Sequence, residues 1–283
     1  MILARSIDEV RAALSAARAG GRRIALVPTM GALHAGHLDL LRRARAEAAV
    51  VVLTIFVNPT QFGPNEDLSR YPRPLERDLE LAKENGVSIV FHPTDTTMYP
   101  SEPSLSVSIQ NLADHLCGRS RPGHFNGVLQ VVNKLFNIIQ PDVALFGQKD
   151  IQQFRLIETM VAEFNHPIEL IRAETIREAD GLALSSRNTY LSSEDRAIAP
   201  AIYKQLRHIS DQLASDPSLS VNTLCDEAIQ ALTDIGFKND YLSVVDYASL
   251  TPVQQVERGR IYVIAAAQYL GTTRLIDNVI LQL

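Results

Sequence analysis

The chain has two cysteines in 283 residues, Cys117 and Cys225, far apart and outside any CxxC spacing. On that count free thiols in a reducing compartment are expected rather than a disulfide framework. No apolar run approaches the roughly 18 residues a membrane span requires. The N-terminal stretch MILARSIDEVRAALSAARAGGRR lacks the apolar core of a signal peptide. With Asp8, Glu9 and several arginines it predicts an amphipathic helix. There is no long basic block, and the net charge is −5, which argues against a large nucleic-acid footprint but not against a small anion site. Internal repeats and low-complexity segments are absent, as are the GxSxG elbow of serine hydrolases and the HExxH helix of zinc proteases. What remains is 46% apolar and 21% charged, ordinary for a packed globular protein, and long enough for one large domain or two ordinary ones. A cytoplasmic protein without membrane contact is expected.

Short apolar runs punctuate the first 175 residues: IALVP (24–28), VVVLTIFV (50–57), VSIVFHP (87–93), DVALFG (142–147) and PIELIRA (167–173). They are rich in β-branched residues and nearly continuous, as strands buried on both faces of a parallel sheet must be. Helical patterns over 37–48, 74–85, 125–140 and 150–164 separate them. This alternation predicts an α/β fold, a Rossmann-like doubly wound parallel sheet with right-handed crossovers. Ligands of such sheets sit beyond the C-terminal strand ends. From about residue 176 a polar loop, READGLALSSRNTYLSSEDR (177–196), leads to helices near 194–214 and 220–235 and then to three strand-like runs. That order predicts a smaller α+β C-terminal domain with an antiparallel sheet. We place the boundary at 175, giving domains 1–175 and 176–283.

The segment VPTMGALHAGHL (27–38) sets His34 and His37 three residues apart, on one face if helical, with Gly31 able to turn tightly and Gly36 able to admit a ligand to the backbone. A helix starting here aims free N–H groups and a partial positive charge at an anion. Two structural turn histidines and a zinc site are the competing readings. Zinc is disfavoured because no Glu separates the histidines and their spacing is three, not four.

Other polar constellations follow strand ends. In FGQKDIQQF (146–154), Lys149 is a point charge suited to phosphate, Gly147 permits close approach, Asp150 suits a helix N-cap, and Gln152 and Gln153 read as solvated helix positions. In FVNPTQFG (56–63), Asn58 and Gln61 offer neutral amides. LALSSRN (182–188) places Ser185, Ser186 and the Arg187 fork on a loop; local serine turns are the competing reading. Ser192 is expected to cap the next helix. The acids of 74–85 read mostly as a solvated face, Asn126 as an N-cap, and His124 as structural.

HAGH resembles the HIGH-type motif of the nucleotidylyltransferase superfamily, shared with class I aminoacyl-tRNA synthetases. PTMGALHAGH, FVNPTQFGPNEDLSRYPR, RPGHFNGV, FGQKD followed by QQ, and READGLALSSRN occur in that order. Together they resemble the pantoate–β-alanine ligase (pantothenate synthetase) family along essentially the whole chain. Where many family members carry Met, this chain has Leu184, an apolar exchange at a position whose backbone would be used.

The resemblance implies an ATP-dependent, AMP-forming ligase that condenses pantoate with β-alanine through a pantoyl adenylate. It implies that His34, His37, Lys149, Ser186 and Arg187 serve the chemistry. ATP contacts would come from these five together with Met30, Gly31, Gly36, Gly147, Asp150, Ile176, Leu184 and Ser185. It further implies that Gln61 and Gln153 hold pantoate, that Mg²⁺ arrives with ATP, with Asp78 near the metal or the pantoate, and that the chain is a homodimer. Two rivals remain: an adenylyltransferase of another small acceptor, and a non-catalytic nucleotide-binding module.

Overall fold

A computed structural model describes residues 1–64 and 66–283. Asn65, inside the motif FVNPTQFGPNEDLSRYPR, lies outside the described residues. The elements in order are β1 (Ile2–Ala4), α1 (Ile7–Ala19), β2 (Ile24–Thr29), α2 (Ala35–Glu47), β3 (Val50–Ile55), α3 (Leu75–Glu84), β4 (Ile89–Phe91), α4 (Asp95–Met98), α5 (Leu116–Ser120), α6 (His124–Ile139), β5 (Val143–Gly147), α7 (Ile151–Glu163), β6 (Glu169–Ala173), α8 (Ser193–Ile198), α9 (Ala201–Ser215), α10 (Val221–Asp234), β7 (Lys238–Asp246), β8 (Ile261–Leu270) and β9 (Thr273–Gln282). Short 3₁₀ turns occupy Pro59–Gln61, Gln148–Asp150 and Ser186–Tyr190.

The chain forms two compact units. The first comprises 1–109, 122–147 and 156–174. It holds a six-stranded sheet in the order β1-β4-β3-β2-β5-β6, parallel throughout. Every residue of β3 is buried, and the Val-rich run explains why: branched side chains fill both faces of a covered sheet. One face packs Val27, Val51, Leu53 and Leu145 against Leu40, Leu41 and Ala44 of α2. From β2 the chain builds outward through β3 and β4, then returns to add β5 on the other side of β2. The β2/β5 pair is therefore the sheet's switch point, where connections leave in opposite directions and open a crevice.

The second unit comprises 110–121, 148–155 and 175–283. Its antiparallel sheet runs β7-β8-β9. Leu206, Ile209 and Leu213 of α9 and Ala228 and Leu232 of α10 share a core with Val244, Ile264 and Leu275 of the sheet. No helix among the described residues is long and apolar enough to cross a membrane.

Several local expectations are corrected. The N-terminal residues are not helical from the start: Ile2–Ala4 form an edge strand paired with Ile89–Phe91, and the helix begins at Ile7. Ser6 caps it, accepting from the Glu9 N–H while the Glu9 carboxylate accepts from the Ser6 N–H. The helix expected over 194–214 is two helices, because Pro200 has no N–H to continue the ladder. Asn126 lies inside the first turn of α6, which starts at His124 after Gly123 in the left-handed region. Ser192 does cap α8, accepting from the Asp195 N–H at 3.0 Å.

Candidate functional site

β2 ends at Thr29, and the chain turns through Gly31 (φ 84°) and Ala32 (φ 51°) before α2 starts. A left-handed alanine costs about 1 kcal/mol and must be held. Two side chains hold it. Thr29 Oγ1 accepts from the Gly31 N–H at 3.1 Å. From α3, Asp78 accepts the Ala32 N–H on one carboxylate oxygen and the Leu33 N–H on the other, each at 2.8 Å. Asp78 is 1% exposed, so the acids of α3 are not all a solvated face. Burial raises its pKa, while the two N–H donors and His92 pull it down. Both oxygens, expected near metal or pantoate, are engaged by the turn.

His34 is the N-cap of α2. Its Nδ1 accepts from the Gly36 N–H at 3.2 Å, and His37 Nδ1 accepts from the His34 N–H at 3.3 Å. Main-chain N–H groups only donate, so both Nδ1 atoms are unprotonated and each neutral ring carries its proton on Nε2. The rings lie 4.1 Å apart at 33°. A Cβ at position 36 would stand 3.0 Å from the His34 ring. Gly36 thus makes room for the capping imidazole, where the sequence suggested room for a ligand.

Beyond β3, Asn58 is 1% exposed and fully bonded. Its Nδ2 donates to the Gly127 carbonyl (3.1 Å) and to Gln61 Oε1 (3.0 Å). Its Oδ1 accepts from Tyr99 OH (2.8 Å) and Thr60 Oγ1 (3.0 Å). The Gly127 carbonyl can only accept, which fixes the Asn58 amide and in turn that of Gln61. Gln61 Nε2 is left as the donor end, 3.4 Å from Met30 Sδ. The His124 Nδ1 donates to the Gln61 carbonyl at 2.7 Å. The first unit thereby brings Met30, Gly31, His34, Gly36, His37, Gln61 and Asp78 into one bonded neighbourhood. Gly147 ends β5, with open space where a Cβ would stand.

The second unit holds the other candidates. Lys149 and Asp150 lie on the turn just before α7, and Gln153 is half-buried in its first turn. Gln152 is not solvated but 4% exposed. It donates to the carbonyls of Leu112 and His115, both at 2.9 Å, and accepts from the Gly118 N–H at 3.3 Å, tying 110–121 to α7. Ile176 and Leu184 pair, the Leu184 N–H donating to the Ile176 carbonyl at 3.0 Å. Ser185 caps the following turn by accepting from the Arg187 N–H at 3.2 Å, and Ser186 and Arg187 lie on that turn. Sequence reasoning assigned no part to Tyr99, Asp277 or Asn278, all of which bond directly to candidate residues or to the side chains that hold them.

A parallel sheet with paired imidazoles at a helix start beside its switch point places the molecule among Rossmann-like α/β proteins. The family model described as pantoate–β-alanine ligase matches residues 2–280. The chain is 49% identical to a pantothenate synthetase of Azotobacter vinelandii, over 98% of each chain. It is 47% identical to one of Thermotoga petrophila, over 99% of this chain and all of the relative. Among solved structures it is similar to the pantothenate synthetase of Thermus thermophilus, with a TM-score of 0.90, 42% identity and 99% coverage of both chains. It is also similar to a pantoate–β-alanine ligase of Francisella tularensis complexed with beta-gamma ATP and β-alanine, with a TM-score of 0.81 and 36% identity over 99% and 97%. The chain belongs to the pantoate–β-alanine ligase family.

Asp78 can be tested as the clamp of the histidine turn. Asp78→Asn turns one acceptor into a donor facing an N–H and is expected to cost about 1–3 kcal/mol in urea unfolding. Unaltered stability in that variant would overturn the clamp.

Proposed function

We infer that the chain uses ATP to condense pantoate with β-alanine in two half-reactions. A pantoate carboxylate oxygen attacks the α-phosphorus of ATP and pyrophosphate leaves. The β-alanine amine then attacks the acyl carbon, loses a proton, and AMP departs, leaving pantothenate. The observation that carries this reading is the reciprocal cap of His34 and His37 at the start of α2, which turns two Nε2–H donors into fixed features of a helix N-terminus. Charge on the phosphates is the quantity to be stabilised, and donors aimed before the reaction do this without reorganising.

We assign His34, His37, Lys149, Ser186 and Arg187 to that work. Met30, Gly31, Gly36, Gly147, Asp150, Ile176, Leu184 and Ser185 are assigned to the rest of ATP, largely through their backbone. Gln61 and Gln153 take pantoate; the fixed amide of Gln61 suits an acceptor oxygen of the hydroxy acid. No group of three or more metal-ligating side chains occurs among the described residues. Mg²⁺ arrives as part of the MgATP substrate, held by phosphate and water. The functional division falls at 175, with 1–175 binding ATP and pantoate and 176–283 carrying the serine–arginine loop. A homodimer working in the cytoplasm completes the reading.

The test is isotope exchange. With pantoate and MgATP but no β-alanine, labelled pyrophosphate is expected to enter ATP. A strict requirement for β-alanine would rule out the adenylate, and absence of exchange under all conditions would favour a nucleotide-binding module.

A further inference from the structure

The turn that carries Lys149 is held from β9, a strand to which no role has been given. Asn278 is 1% exposed. Its Nδ2 donates to two successive main-chain carbonyls, those of Gln148 and Lys149, at 2.9 Å each. The amide orientation is unambiguous, because those carbonyls can only accept. The Asn278 Oδ1 faces Gln148 Nε2 at 3.4 Å. Asn278 is itself fixed: its N–H donates to Asp277 Oδ1 at 2.8 Å.

Asp277 extends the same frame to the serine–arginine loop. Arg177 donates to both Asp277 oxygens, at 2.5 and 2.9 Å, and to the Gly181 carbonyl at 3.1 Å. Its guanidinium lies 3.6 Å from the centroid of the Tyr203 ring. Arg177 also pairs with Ala183 across the base of the loop that presents Ser185, Ser186 and Arg187. Two adjacent residues of one strand thus bond, directly or through one arginine, to the roots of both phosphate-directed segments of this unit. A side chain serving only the core would not need to reach two carbonyls of a surface turn.

We propose that Asn278 is a positioning residue that acts through Lys149, setting the backbone from which the ammonium is presented to the phosphates. This rests on the assignment of Lys149 to phosphate. The two claims separate in a double-mutant cycle of Asn278→Ala and Lys149→Ala, read as kcat at saturating MgATP, pantoate and β-alanine.

Lys149→Ala alone tests the underlying assignment; a near-normal kcat there would remove both claims. With Lys149 present, Asn278→Ala is expected to lower kcat about tenfold, within the range of couplings through shared contacts. KM for pantoate is expected to stay within about twofold, since a site-positioning change that leaves the acid's own contacts intact acts on kcat. In the Lys149→Ala background, Asn278→Ala is expected to cost nothing further. Equal losses in both backgrounds would reduce Asn278 to a structural role, and no loss in the wild-type background would remove the proposal. If Asn278→Ala does not fold, Asn278→Ser, which keeps one donor, reports in the same cycle.

Discussion

His37→Ala is expected to lower kcat by about 10²-fold or more, the scale observed when one pre-aimed, charge-stabilising donor is lost. Two functions leave with the ring. The Nε2–H donor is gone, and so is the Nδ1 acceptor that satisfies the His34 N–H. His37→Gln separates them. A glutamine at the third helical position reaches back to the N-cap N–H in the ordinary capping box, so it restores the second function. The helix start and the stability should recover in His37→Gln while kcat stays depressed. Lys149→Ala should fall by a similar factor with no capping bond at issue. Near-normal kcat in both alanine variants, with native circular dichroism, would overturn their assignment.

Gly127→Ala is expected to destabilise the protein by at least about 3 kcal/mol, at the upper end for overpacking. A Cβ there would stand 2.2 Å from the Thr60 carbonyl oxygen and 2.7 Å from the Gln61 nitrogen. Both obstacles are backbone and cannot swing aside. The turn 59–61 must separate from α6, which breaks the Asn58 bond to the Gly127 carbonyl. Gln61 then loses the partner that fixes its amide. In the fraction that folds, KM for pantoate should rise while KM for ATP changes little. Urea unfolding and steady-state kinetics check the two parts separately. Unaltered stability would mean that the 59–61 turn has room that its packing does not suggest.

What could be read from sequence divides by the range of the interactions. The central strands were legible because Val50–Ile55 bury both faces and leave only apolar residues to choose from. The helix start at His34 was legible because a strand, a glycine turn and an amphipathic pattern meet there. β1 was not: three residues that pair only with the distant β4 carry no period of their own. The break at Pro200 was visible in IAPAIY and was overridden by the apolar spacing on either side. Gln152 reads as solvated, and Asp78 sits among acids that read mostly as a solvated face, because a lone polar residue in a helix is usually exposed. Their burial is decided by backbone groups about 35 to 45 residues away along the chain, which no local pattern announces. Asn278 is the extreme case, since it answers to carbonyls 129 and 130 positions earlier. The identity of the candidate residues was therefore open to inspection, while the side chains that hold them in place were not.

The second unit gathers 110–121 and 148–155 along with 175–283, and this has a bearing on biosynthesis. Cys117 stands 3.1 Å from the Tyr241 hydroxyl, and Ser120 donates to Asp240, which Arg274 also grips. During translation, 110–121 leaves the ribosome more than a hundred residues ahead of those partners. Gln152 can tie the segment soon afterwards, but its Cys117 and Ser120 contacts must wait until almost the entire polypeptide has emerged, a long-range closure of the kind that slows folding. A gene split at codon 175 would accordingly leave the second unit whole in neither fragment: the upstream piece would hold all of the first unit plus two orphaned segments, and the downstream piece would lack those segments and bare the surfaces they cover.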